Sequence, residues 1–170
     1  MNRSNLNVIL ALFFLFLTIG LRFMPHAVNF SPTLAALIFA GYVARGSHRW
    51  LLLVAPALIL VSDLILGTYD GMSFVYAAYA FSLIAGLLMS RGHGQSIVLA
   101  GLTSSIAFFG LSNFGVWQST QLYPHDQMGL AQCFIMALPF FHYTVFATLG
   151  GLVVAFGAQA VARRYAVTSG

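Results

Sequence analysis

Residues 108–142 read FFGLSNFGVWQSTQLYPHDQMGLAQCFIMALPFFH, and the placement of this stretch decides the fold. An apolar run is broken by Asn113, Trp117 and Gln118, then by a polar loop holding Tyr123, Pro124, His125 and Asp126. Apolar residues resume around Cys133, meet Pro139 and pass His142 into a last hydrophobic segment. Irregular backbone at membrane depth is tolerated only where protein or water covers it. A stretch this rich in polar, aromatic and helix-breaking residues between two oily segments is therefore expected to wall a cavity at one membrane face.

Composition sets the surroundings. Of 170 residues, 60% are hydrophobic and 6% charged, with neither Lys nor Glu present. A soluble domain carries about 25% charged residues, so an all-α integral membrane protein is expected, its first partner the lipid bilayer. The net charge of +4 comes from seven Arg against three Asp, too sparse for a nucleic-acid surface. One cysteine excludes an internal disulfide framework and a cysteine-based zinc site. The start imitates a signal peptide, but its apolar region is long and no small-x-small site follows it. A retained first span is the expectation.

Working outward, hydropathy yields one transmembrane domain with spans at about 6–21, 31–45, 50–66, 73–89, 96–112 and 143–162. The connection 113–141 is read as an outer-face loop and a short extra helix that Pro139 separates from the last span. Ser31-Pro32 looks like an N-cap with proline at the first helical position, and Asp70-Gly71 like a turn. With both termini cytoplasmic, Arg3, Arg45, Arg49, Arg91, Arg163 and Arg164 lie inside and only Arg22 outside. That asymmetry is a positive-inside signal. Small residues recur every fourth position at Ala36, Ala40 and Ala44, at Ala78, Ser82 and Gly86, and at Ala147, Gly151 and Ala155. Such stripes let helices approach closely or dock a partner.

Asp63 is the only acid inside a span. A carboxylate there needs a counter-ion or water, and Arg22 at the same membrane edge is the expected partner. The pair could clamp span 1 to span 3, touch a ligand, or both. His26, His125 and His142 all fall toward the outer face but lack the spacing of a helical metal pair, so no metal site is assigned. Cys133 reads as a small packing residue, with axial ligation of a corrinoid metal as the sharper alternative. No nucleotide-binding loop and no nucleophile-base motif is present, so neither catalysis nor a cofactor is expected. Tyr69, Tyr76 and Tyr79 suit an interfacial belt. Asn113, Trp117 and Tyr123 look like a pocket rim, with hydrogen-bonding groups beside stacking faces.

Several motifs have a familiar order. They are Arg22-x-x-Pro25-His26-x-x-Asn29-Phe30-Ser31-Pro32, Ser62-Asp63-x-x-Leu66-Gly67, Phe108-Phe109 with Asn113-Phe114-Gly115-Val116-Trp117, Tyr123-Pro124, Gly129-Leu130-x-x-Cys133 and Pro139-Phe140-Phe141. Over about 22–151 the chain resembles an uncharacterised family of small bacterial membrane proteins (DUF6580-like). That family is similar in turn to the substrate-specific (S) components of energy-coupling-factor (ECF) vitamin transporters. The resemblance implies a six-helix S-component-like bundle in the bacterial inner membrane. It would take a small water-soluble, vitamin-like nutrient from the outer face, alone or with an energising module of two ATPases and a scaffold membrane subunit. S-components often dock through an Ala-x-x-x-Ala pattern on the first helix, whereas here the pattern falls on span 2. The residues expected to bind substrate are Arg22, His26, Asn29, Asp63, Asn113, Trp117, Tyr123 and His142. The alternatives are a non-transporting accessory subunit of a larger membrane complex, and a metal permease using His26, His125 and His142.

Overall fold

In a computed structural model the chain is described over residues 3–24, 31–45, 48–90 and 94–168. His26 and Asn29 lie outside the described residues. The architecture is all-helical: α1 (Arg3–Arg22), α2 (Thr33–Val43), α3 (Leu51–Leu66), α4 (Met72–Leu88), α5 (Gly94–Ser119) and α6 (Gln127–Thr168). Three of these, α1, α5 and α6, are long and apolar enough to cross a membrane; α2, α3 and α4 are apolar but shorter. Chain direction alternates, so the C-terminal ends of α1, α3 and α5 gather with the N-terminal ends of α2, α4 and α6. We call this the Arg22 end and the opposite one the Arg45 end.

The interior is mostly apolar, but it also holds several polar side chains while large aliphatics and aromatics stand exposed. Thr18, Ser82, Ser104, Ser105, Thr148 and Gln159 are buried, while Phe13, Leu53, Leu88 and Val153 are 65–77% exposed. Hydroxyls inside and bare aliphatics outside suit a solvent of lipid tails, where burial of apolar groups earns nothing and polar groups seek the bundle interior. Thr18, Ser82 and Ser105 satisfy their hydroxyls on their own helices, donating to the carbonyls of Leu15, Ala78 and Gly101 at 2.8–2.9 Å.

α2 is the axis of the bundle, with every residue buried except Tyr42. It is apolar on all sides because helices surround it on all sides. The closest approach is to α4. A Cβ added at Gly86 would stand 2.8 Å from the Ile38 carbonyl carbon, and one at Gly41 would stand 3.0 Å from the Leu83 carbonyl carbon. The two backbones meet at reciprocal glycines. The Ala36, Ala40 and Ala44 stripe is buried within this packing, at 1%, 0% and 0% exposure. Those three alanines pack helices, and no external partner can reach them.

Two local expectations are corrected. α2 begins at Thr33 with Pro32 as its N-cap residue, and the Ser31 hydroxyl pairs with Thr33 Oγ1 at 2.7 Å rather than capping the helix. No separate short helix precedes the last span: α6 is one helix of 42 residues with Pro139 inside it. Proline removes one hydrogen bond and crowds the preceding turn, but a membrane helix held by neighbours tolerates that loss. Phe109 of α5 provides such a neighbour, packing on Phe134 and Phe141 on either side of Pro139 at 5.6 and 4.9 Å between ring centres. The turn at Asp70-Gly71 forms as expected. Gly71 has φ +79° and caps α4, and a Cβ there would press on the Gly115 backbone at 3.0 Å.

Candidate functional site

The polar centre of the bundle is built around Asp63, which is 1% exposed. Arg22, the last residue of α1, forms the ion pair with Asp63 Oδ1 and also donates through Nη1 to Ser62 Oγ at 2.9 Å. Tyr76 of α4 donates its hydroxyl to Asp63 Oδ2 at 2.7 Å. Three helices are thus tied at one carboxylate. The expected pairing of Arg22 with Asp63 is present. Ser62 and Tyr76 are the partners sequence reading missed, Tyr76 because a tyrosine near a helix end reads as interfacial belt. Tyr69, in the turn before α4, feels the same centre: burial and the negative charge of Asp63 raise its phenol pKa, with Arg22 opposing.

Beside this centre lies a cavity of about 280 Å³ lined by Arg22, Ser31, Thr33, Leu34, Leu66, Tyr79, Phe108 and Thr144. Every one of the six helices contributes at least one of these residues. Tyr79 and Phe108 form the aromatic wall, their rings within 15° of parallel at 6.2 Å between centres. Tyr76 packs edge-on against Tyr79 at 5.4 Å, joining the wall to the ion pair. Tyr79 and Thr144 are 93% and 95% buried as the complements of 7% and 5% exposure, and neither hydroxyl has a hydrogen-bond partner among the described residues. Ser104 and Thr148, one helical turn deeper than Phe108 and Thr144, also carry buried hydroxyls without a partner. Unsatisfied buried polar groups are uncommon and need a physical explanation. Ser104 and Thr148 lie beneath the cavity, on α5 and α6. A search for hydroxyls in otherwise apolar helices would have pointed to Thr33, Ser104, Thr144 and Thr148.

The other expected site residues go elsewhere. Trp117 donates its indole N–H to the Pro124 carbonyl at 2.9 Å and meets the His125 ring edge-on at 5.6 Å. His125 Nε2 lies 3.0 Å from the Thr120 carbonyl oxygen. Asn113 donates to the Phe109 carbonyl of its own helix at 2.7 Å, and its own carbonyl accepts from Cys133 Sγ at 3.4 Å. Asp126 caps α6 by accepting from the Gly129 N–H at 2.7 Å. These groups close the α5–α6 hairpin. Asn113, Trp117 and Tyr123 are absent from the cavity lining, and His142 is exposed on α6, its ring tilted on Tyr143 at 4.0 Å.

The same placements bear on the metal ideas. His125 precedes α6 and His142 sits well along it, so a helical rise of about 1.5 Å per residue keeps them on the order of 20 Å apart. They do not converge, and among the described residues no group of three or more His, Cys, Asp or Glu could hold a metal ion. Cys133 is 2% exposed, and its thiol donates to the Asn113 carbonyl of α5, a packing position. Comparison with curated proteins and with solved structures gives no match. A family model does match, over residues 2–169, nearly the whole chain. The chain belongs to the family of unknown function DUF6580.

Proposed function

We propose that this chain is a six-span membrane uptake protein of the substrate-binding (S) component type. It captures a small water-soluble, vitamin-like molecule in the cavity beside Arg22. The observation that carries the reading is the cavity itself: each helix contributes to its wall, and Arg22, Ser31, Thr33, Tyr79 and Thr144 bring polar groups to it. Concave sites with a mostly apolar lining and a few convergent polar groups are the usual form of small-molecule pockets. The arginine asymmetry supports an outward-facing Arg22 end in the bacterial inner membrane, with both termini in the cytoplasm. An ATP-driven energising module, if this chain uses one, docks on a surface other than the Ala36–Ala44 stripe, because that stripe is buried.

The test is native mass spectrometry of the protein extracted gently from its own host, beside Thr144→Phe, which fills the cavity, and Val153→Phe on the exposed face. Wild type and V153F should carry a small molecule that T144F lacks. An empty wild type bound to stoichiometric membrane partners without ATPases would overturn the proposal in favour of an accessory subunit.

A further inference from the structure

The charges around the cavity restrict what can sit in it. Arg22 lines the cavity, but Asp63, the nearest acid, does not. Its side chain is 2% exposed, with one oxygen engaged by Arg22 and the other by Tyr76. The ion pair therefore presents its positive end to the cavity and its negative end to the protein. Guanidinium carries five N–H donors. Two of them are used on Ser62 and Asp63, which leaves donors to spare. The Tyr79 and Thr144 hydroxyls lack partners among the described residues, and no carboxylate lines the wall. A cation entering here meets the guanidinium first, with the Asp63 carboxylate behind it and already engaged by Arg22 and Tyr76. An anion meets a charge-assisted donor, the strong kind of hydrogen bond.

Resting on the uptake reading, we propose that the ligand is a free small organic acid. Its carboxylate or phosphate sits on the unused edge of Arg22, its apolar or ring portion lies along Tyr79 and Phe108, and a further acceptor takes the Thr144 hydroxyl. The volume of about 280 Å³ is at the small end of ligand pockets, which favours a compact acid over the acyl chains of a phospholipid.

The experiment denatures the ligand-bearing protein, partitions the released material between chloroform and water, and reads both phases by mass spectrometry in both polarities. A water-phase acid is expected. A cation, a neutral compound without an acidic group, or a chloroform-phase phospholipid would overturn the acid assignment and leave a binding protein standing. A protein carrying nothing would instead overturn the uptake reading. The double variant Arg22→Gln with Asp63→Asn removes both charges while keeping a hydrogen-bonding pair. It should retain ligand at least about tenfold less well, as expected when a charge-assisted bond becomes a neutral one. Thr144→Val, which keeps the side-chain shape, should lose about two- to tenfold by forfeiting one neutral hydrogen bond. Full retention by the charge-free variant would refute the role of Arg22.

Discussion

Replacing Gly86 by alanine sets two effects of known size against each other. In a helix interior, alanine is favoured over glycine by about 0.8–1.0 kcal/mol. The new methyl would stand 2.8 Å from the Ile38 carbonyl carbon and 3.0 Å from its Cα, with the carbonyl oxygen closer still. Ordinary contact begins at 3.4 Å. Both sides of the clash are main chain, so no side chain can swing away, and α4 has to part from α2 along the whole seam. Overpacking typically costs about 1–3 kcal/mol, and a backbone clash belongs at the upper end. The net expectation is destabilisation by about 2 kcal/mol, a fall in Tm of about 4–8 °C for a chain of this size. Gly150 is the control, because nothing lies within 4 Å of its added Cβ. G150A keeps the propensity gain alone and should melt about 2–4 °C higher. G41A should behave like G86A. The double variant should cost less than the sum of the two, since one separation of the helices relieves both clashes. Thermal unfolding of purified protein in one detergent measures all four. G86A melting at or above wild type, or strict additivity in the double, would refute the claim that the backbones meet there.

Asp63→Ala leaves the Arg22 guanidinium without its counter-charge, at a cost of about 3 kcal/mol for a largely buried pair; R22A/D63A should recover part of that loss in the same melting assay. Asp126→Ala removes the cap of α6 and should cost about 1 kcal/mol, with amide exchange accelerating at Gly129 and Leu130 but not in α2. Equal exchange in both places would show that the cap is not local.

Much of the fold could be read from composition and charge, for reasons that can be stated residue by residue. A single carboxylate among apolar side chains must find a cation, and Arg22 was the only one toward the same end. Hence the Arg22–Asp63 pair was legible before its geometry. The stretch holding Asn113, Trp117, Tyr123 and His125 is ambiguous in sequence, because those residue types serve equally well in a pocket rim and a hairpin closure. Only the partner carbonyls, Phe109, Pro124 and Thr120, tell the two apart, and a backbone oxygen has no sequence signature. Tyr79 and Phe108 were hidden for another reason. In a helix apolar all round, no periodicity marks the face that points inward. Pro139 shows the limit of local rules: its cost is real, but aromatic packing on Phe109 keeps the helix continuous.

The brevity of α2 has a consequence for how the protein is made. Eleven residues span about 16 Å at about 1.5 Å each, roughly half of a 30 Å hydrocarbon layer. A segment this short does not hold itself across a bilayer, and of the helices that pack around it only α1 precedes it in the chain. Gly86, which receives its closest contact, and Gly151, whose added Cβ would press on Ala35 at 2.7 Å, are synthesised much later. Biogenesis must therefore keep the segment waiting at the interface or beside the insertion machinery until α4 and α6 arrive. Closing the bundle around it waits for α6, and the cavity at the N-terminal end of α2, which takes Thr144 of α6 into its wall, comes into being only at that step.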